Sequence, residues 1–230
     1  MSQRTMDVVE PVLVTALGCI PRIDQIRPRF LETAVFGVEC FLCAESHFGI
    51  TRGIWKTSVG YTGGRYNAPS SNDVGDHMEA VRVEYDPLML SYGQLLKVFL
   101  LQHVPSRTSA LPSYVARIFV KNEFEKRLAQ AAIERHELYS EGSCSVLVSM
   151  YKSFYEAEKR HQKYFLRASP FLMEEMKHFY SEEENLVNST LAARLNGILG
   201  QPFPKFGLPE DISLYDLSEK AMRALTHLTP

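Results

Sequence analysis

From about residue 31 onward the chain falls into short blocks of regular apolar and polar spacing, whereas the residues before it show little periodicity. TAVFGV (33–38) reads as an apolar strand, CFLCAESHFGI (40–50) as a short helix, and IWKTSVGY (54–61) as a strand closed by the turn signal TGG. A polar stretch, RYNAPSSNDVGDH (65–77), follows, and a loop of that length points to function or flexibility rather than packing. In EAVRVEYDP (79–87), Val81, Val83 and Tyr85 share one face and Arg82 and Glu84 the other, the signature of a half-buried strand, and Asp86-Pro87 ends it.

Ser91 and Gln94 form a capping-box pattern ahead of the apolar helix LLKVFLLQH (95–103), and a Ser- and Pro-rich connection then leads to the strand YVARIFV (114–120). Asn122 with Glu125 can start a helix whose expected inner face is Phe124, Leu128, Ala131 and Leu138, with Lys126, Arg127 and Glu134 toward water. CSVLVSM (144–150) reads as a further strand. From about Tyr155 the pattern predicts helix, broken at Ser169-Pro170, at Gly197 to Gly200 and in QPFPKFGLP (201–209). Strands and helices interleave without repeats, which predicts an α+β domain with a mixed sheet and helices packed on it. The expected division is an irregular N-terminal arm over 1–30, broken by Pro11, Pro21 and Pro28, a domain over 31–200, and a C-terminal extension over 201–230 packed on that domain.

Composition narrows the function classes. A chain of 230 residues, 45% apolar, can bury a core without staples, and a net charge of −2 from interspersed acids and bases gives no reason to expect nucleic acid or a membrane surface as partner. Four scattered cysteines are too few for a secreted disulfide framework, which favours a reducing, cytoplasmic compartment. The run PVLVTALGCIP follows the acids Asp7 and Glu10 and lacks a small-residue cleavage site, so it is not read as a signal peptide. No apolar run approaches the roughly 20 residues of a membrane span. Monomer is the default expectation.

The candidate chemistry lies in GVECFLCAESHFG (37–49), where Cys40 and Cys43 open the helix that follows a strand. A cysteine in the first turn lies among unpaired backbone N–H groups, and the helix dipole there favours a thiolate. The C-x-x-C spacing sets Cys43 one turn later, within reach of a disulfide. A metal site would need a second pair of ligands, and the sequence has no other C-x-x-C or H-x-x-H. Two buried cysteines without chemistry remain the alternative, since a lone cysteine beside an apolar helix is commonly a small core residue.

Several motifs arranged in order carry a resemblance: ECFL, VGYTGG, HMEAVRVEYDP and FYEAEKRHQKY, with RLNGILG near the end. From about residue 32 to 200 the chain resembles the methionine sulfoxide reductase A family, which reduces the S epimer of methionine sulfoxide in proteins and in the free amino acid. The resemblance implies a ferredoxin-like two-layer sandwich core. It implies Cys40 as nucleophile, Glu79 as the acid that protonates the departing oxygen, and Tyr114 as a hydrogen-bond donor to that oxygen. Phe41 and Leu42 stand at the methyl pocket, with Tyr61 and His77 as further substrate-side candidates; His77 can equally shape the loop that aims Glu79, and Tyr61 can be turn chemistry. The product at Cys40 is a sulfenic acid that needs a second thiol. Cys43 is the candidate resolving cysteine, with thioredoxin or glutathione as external reductant and no metal or organic cofactor.

The chain departs from the family pattern at the same site. Leu42 replaces a pocket tryptophan, Ser71 stands where a second oxygen-binding tyrosine is expected, and Glu39 replaces the glycine before the nucleophile, adding a charge that opposes the helix dipole. Ser109 falls where a family aspartate would align, and no cysteine follows Cys144. His161 and Tyr164 are expected one turn apart at the pocket edge, and Trp55 as a packing residue in its strand. The leading expectation is a protein-repair oxidoreductase acting on oxidised proteins or free methionine sulfoxide. The alternatives are a pseudoenzyme that binds a methionine-containing partner and a disulfide oxidoreductase using Cys40 and Cys43.

Overall fold

The computed structural model describes residues 20–66, 69–102, 115–139, 146–201 and 208–228. A helical turn, α1 (Arg22–Gln25), precedes β1 (Glu32–Gly37), α2 (Phe41–Gly49), β2 (Ile54–Thr62), β3 (Met78–Tyr85), α3 (Tyr92–Gln102), β4 (Arg117–Val120), α4 (Glu123–Tyr139), β5 (Leu147–Met150) and β6 (Phe154–Glu156). The helices α5 (Tyr164–Arg167), α6 (Pro170–Phe179), α7 (Glu183–Val187), α8 (Thr190–Leu199) and α9 (Glu219–Leu228) follow. The six strands form one sheet in the order β5-β4-β1-β3-β2-β6. It is mixed because β4 and β5 run parallel while the other pairs are antiparallel.

The alternation in β3 sets the two faces of the sheet. Val81, Val83 and Tyr85 join Phe36, Val59, Phe48 and Phe99 in the main core on the helix side, whereas Met78, Ala80, Val35 and Phe119 make a small cluster on the other face. Phe36 stacks on Phe48 of α2 at 5.2 Å and on Phe99 of α3 at 4.7 Å, pinning both helices to the centre of the sheet. All three rings are fully buried, and each is worth about 1.5–3 kcal/mol of burial. The capping box forms as expected, with Gln94 accepting from the Ser91 backbone N–H and hydroxyl. Asn122 likewise accepts from Glu125 N, whose carboxylate accepts in turn from Lys121 N.

A second core holds α5 to α9 together with the arm. Ile23 of α1 is buried among Leu172, Met176, Tyr215, Ala221 and Leu225. Asp24 accepts from Thr190 N at 2.6 Å and from Leu191 N at 3.2 Å, so it caps the start of α8 from outside that helix. Burial raises the pKa of Asp24 despite these donors. Arg22 bonds Asp216 through its backbone N and its Nε, tying the arm to the residues before α9. α8 also lies against the end of α2, an approach that requires glycine. A Cβ on Gly49 would fall 2.2 Å from Ala193 O, and one on Gly197 would fall 2.5 Å from Ile50 N. Arg194 fixes this contact by donating to Gly49 O, Thr51 O and Ile54 O.

Three expectations need correction. The run from Tyr155 does not begin as helix: Phe154–Glu156 is a strand paired with β2, and a turn follows it. Three residues are too few to show a period of two, while the polar spacing in the rest of the run mimics a helix. Gly197 lies inside α8, which runs on to a C-cap at Gly200, because the contact with α2 needs a residue without a side chain there. The inner face of α4 is Leu128, Ala129, Ala132 and Ile133, whereas Phe124 and Leu138 are 63% and 83% exposed. Both stripes satisfy helical spacing, and docking on β4 and α3 selects the one with the smaller side chains. The break at Ser169-Pro170 forms as expected: α5 ends at Arg167, and α6 starts with Ser169 as N-cap and proline in its first turn. Cys19, Tyr114, Cys144, Ser109 and most of QPFPKFGLP lie outside the described residues.

Candidate active site

β1 ends at Gly37, and three residues later the chain turns into α2 with Cys40 as its N-cap, in extended conformation and exposed. The N-cap side chain makes no capping hydrogen bond, so the sulfur is not taken up by the backbone amides of its helix. Cys43 is also exposed, and the two sulfurs are 3.1 Å apart, at hydrogen-bond distance and longer than a disulfide bond of about 2.05 Å. The expectation that Cys43 is a small core residue on the buried face is therefore corrected. Ala44, Glu45 and Phe48 take the inner face of α2, which rotates position 43 outward next to position 40. Burial, its contact with Cys40 and the charges of Cys40 and Glu79 push the Cys43 thiol up to about 11. Cys43 therefore holds its proton at neutral pH and can donate it toward the sulfur of Cys40.

Glu79 reaches the same point from β3. Its Oε2 accepts the Phe41 N–H at 2.9 Å, one of the amides that helix geometry leaves free at the first turn. Its backbone carbonyl accepts from Val38 N, which fastens the strand-to-helix connection to β3. Burial raises the pKa of Glu79, and the Phe41 amide and the nearby His161 only partly offset this. A carboxyl in this state can keep a proton that an open glutamate would lose.

Tyr61 is opposite Glu79 in the β2–β3 ladder, so both side chains project to the helix face. Tyr61 is thus a buried strand residue, not part of the turn; Gly63, with φ +88°, takes the turn. The Phe41 ring lies 5.9 Å from that of Tyr61 and 5.6 Å from that of His161, forming an aromatic wall beside Cys40. Leu42 is partly buried and packs against the main core. The His77 Nδ1 accepts from Gly64 N and its Nε2 donates to Tyr66 O. It is buried and pins the loop before Glu79, with no ring nitrogen left for a ligand. Tyr114 lies outside the described residues.

Residues absent from the expected site complete it. Glu158, in the turn after β6, accepts from Ser71 N at 2.9 Å, Ser71 Oγ at 2.8 Å and Tyr61 OH at 3.2 Å. With the Ser71 backbone donor the largest cause, these bonds hold the Glu158 carboxyl down at about 2. Ser71, at the position expected to be tyrosine, is here a clamp on this carboxylate. Arg160 donates Nη2 to Ser71 Oγ at 2.7 Å and Nε to His161 Nε2 at 3.2 Å. His161 and Tyr164 do not share a helix face: His161 faces Phe41, while Tyr164 is 45% exposed and turns to Phe165.

Beneath the helix a buried ion pair sets its depth. Glu45 of α2 accepts at one oxygen from Lys163 Nζ at 2.7 Å and Thr57 Oγ1 at 3.0 Å, and at the other from Lys163 N at 2.9 Å. Lys163 takes a left-handed conformation, φ 55°, to present both donors, a cost of about 1–3 kcal/mol that these bonds offset. Gln162 next to it bonds both the N–H and the C=O of Val59, continuing the pairing of β2 past the end of β6. The sequence signal for both residues was the HQKY end of the FYEAEKRHQKY run, which helical spacing obscured.

The family model described as peptide methionine sulfoxide reductase matches residues 32–193. The chain belongs to this family. A peptide methionine sulfoxide reductase A5 of Oryza sativa subsp. japonica is 38% identical over 171 residues, covering 72% of this chain and 66% of the relative. A peptide methionine sulfoxide reductase A5 of Arabidopsis thaliana is 36% identical, covering 76% of this chain and 71% of its own. The chain thus spans about two thirds of the length of these relatives. Among solved structures, methionine sulfoxide reductase A of Corynebacterium diphtheriae has a TM-score of 0.51 at 22% identity, covering 70% of this chain and 92% of that one. The reduced form of Mxr1 from Saccharomyces cerevisiae has a TM-score of 0.53 at 21% identity, covering 63% and 89%. These likenesses establish a shared α+β fold. The cysteine pair, Glu79 and the aromatic wall, which meet at the head of α2, all lie within the matched segment.

Proposed function

We propose that the chain reduces the S epimer of methionine sulfoxide, peptide-bound or free, with Cys40 as nucleophile and Glu79 as acid. The observation that carries this reading is the position of Glu79, half-buried with a raised pKa and bonded to the amide that follows Cys40. On this reading the unit from β1 to β4, with central order β4-β1-β3-β2, is the ferredoxin-like core that carries the site.

In the first step Cys40 gives an electron pair to the sulfoxide sulfur and the S–O bond breaks. The oxygen takes a proton from Glu79 as it leaves, and transfer of hydroxyl to Cys40 yields a thioether and a sulfenic acid. The sulfoxide is reduced by two electrons and the cysteine is oxidised by two. The Phe41 and Tyr61 rings bound the apolar side of the substrate, with Leu42 in the same helix turn. Tyr114 is assigned to the sulfoxide oxygen on the resemblance alone.

Cys43 then attacks the sulfenic sulfur, forming a Cys40–Cys43 disulfide and releasing water. The 3.1 Å separation supports this step. Two equivalents of an external thiol, of the thioredoxin or glutathione class, return the pair to the reduced state.

The test supplies purified protein with dithiothreitol and a resolved methyl sulfoxide. Consumption of the S epimer alone, lost in Cys40→Ser, is the expected result. One turnover without reductant should consume both thiols, and Cys43→Ala should leave a trappable sulfenate. A wild-type chain with neither turnover nor sulfenate would return the pseudoenzyme reading.

A further inference from the structure

Arg160 is a charged group at the cleft that the proposed chemistry does not use. Its side chain is 65% exposed, and its guanidinium is anchored at two points, Nη2 on Ser71 Oγ at 2.7 Å and Nε on His161 Nε2 at 3.2 Å. The His161 ring in turn lies 5.6 Å from that of Phe41, the residue after Cys40. The cation is therefore held at the rim, one ring beyond the nucleophile's neighbour, with its long side chain already ordered. Among the described residues its Nη1 group has no acceptor.

Among the described residues, the carboxylate paired with Arg160 is that of Glu158, and the contact is at the long limit of an ion pair. Glu158 Oε1 is 4.0 Å from Nη2, and its oxygens already accept from Ser71 N, Ser71 Oγ and Tyr61 OH. We propose that Arg160 reads a carboxylate borne by the substrate next to the oxidised methionine. It is an Asp or Glu side chain of the adjoining residue, or the α-carboxylate of the free amino acid or of a C-terminal methionine sulfoxide. The planar fork suits a carboxylate, which it can bind through two parallel N–H donors. At this exposure solvent and salt screen the cation beyond about 10 Å, so the selectivity comes from contact and not from long-range steering. At this exposure the preference is about three- to fivefold. The proposal rests on the reductase reading and specifies its substrate class.

The test compares S-epimer substrates on the full chain with dithiothreitol: N-acetyl methionine sulfoxide as the N-methylamide and as the free acid, and the N-methylamide peptides with Asp, Asn or Lys beside the sulfoxide. The acidic substrates should exceed their neutral counterparts about three- to fivefold in kcat/KM, mainly through KM. The ratio should fall to unity in Arg160→Gln and invert toward the Lys peptide in Arg160→Glu. A gain with the Asp peptide alone assigns the side-chain source, and a gain with the free acid alone assigns the α-carboxylate. The same acidic-to-neutral ratio is measured as affinity, by NMR titration of the Cys40→Ser protein, so a chain without turnover still reports on Arg160. Absence of turnover throughout overturns the reductase reading. Equal affinities for acidic and neutral substrates, or a ratio unchanged in Arg160→Gln, overturn the Arg160 proposal.

Discussion

Two glutamates reach the thiol cleft, Glu79 from β3 and Glu158 from the turn after β6, and their surroundings treat them oppositely. Glu79 is half-buried and accepts from one backbone amide, so desolvation dominates and its pKa rises. Glu158 is more open to water and accepts from three donors, so its charged form is stabilised and its pKa falls to about 2. The balance of burial against donors makes one a candidate proton source and the other a fixed anion that orders Ser71 and Tyr61. A third glutamate, Glu45, shows the other limit, fully buried but matched by the ammonium and backbone N–H of Lys163.

The comparison can be broken most severely at the sulfur. Cys40→Ser should lower S-epimer turnover on the order of a thousandfold or more, with Glu79 and Glu158 left in place. Next in size, Glu79→Gln should lower kcat by about 10²–10⁴, because the amide accepts from Phe41 but cannot supply the proton. The wild-type rate should fall as pH rises through the raised Glu79 pKa, and this limb should be missing in the Gln variant. The same shift carries a stability sign. Glu79 binds its proton more tightly folded than unfolded, so the native state loses stability as pH rises above the ordinary carboxylate range, and Glu79→Gln should remove that loss in denaturant titrations.

Lys163→Met tests the third environment by leaving Glu45 buried and unpaired, at an expected cost of about 3–5 kcal/mol in chemical denaturation. Adding Glu45→Gln should recover much of the loss, since the amide leaves no buried charge. The smallest effect is expected from Ser71→Ala, which removes one of the three donors to Glu158 and keeps the backbone one. By NMR titration the Glu158 pKa should rise from about 2 toward its ordinary range. A depressed carboxyl stabilises the fold above the unfolded-state pKa and loses that contribution as pH falls toward its folded value, so the variant should lose this contribution at a higher pH than the wild type.

These groups were unequally legible in the sequence. Cys40, Phe41 and Glu79 stand in ECFL and HMEAVRVEYDP, where a strand-to-helix junction and a clean alternation place them without knowledge of the packing. Glu158, Arg160 and Lys163 stand in a run whose spacing fits a helix, yet three of its residues pair as a strand and Lys163 turns left-handed. The side-chain pairing of Gln162 with Val59 and the ion pair of Lys163 with Glu45 favour that conformation, and both partners are about a hundred residues away. Cys43 was ambiguous for a simpler reason: a helical period permits either rotation, and the inner face was settled by Ala44, Glu45 and Phe48 docking on the sheet.

Local physics thus determined the α+β class, the order of strands and helices through β5, the capped helix starts at Ser91 and Asn122, and the thiol at the head of α2. Each depends on neighbours within a few residues, where steric preference and the alternation of burial act directly. The tertiary structure decided which face of α4 turns inward, that α8 continues through Gly197 against Gly49, and that the arm caps α8 with Asp24. It also decided which glutamate is driven to hold its proton, because that depends on donors and burial contributed by residues distant in sequence.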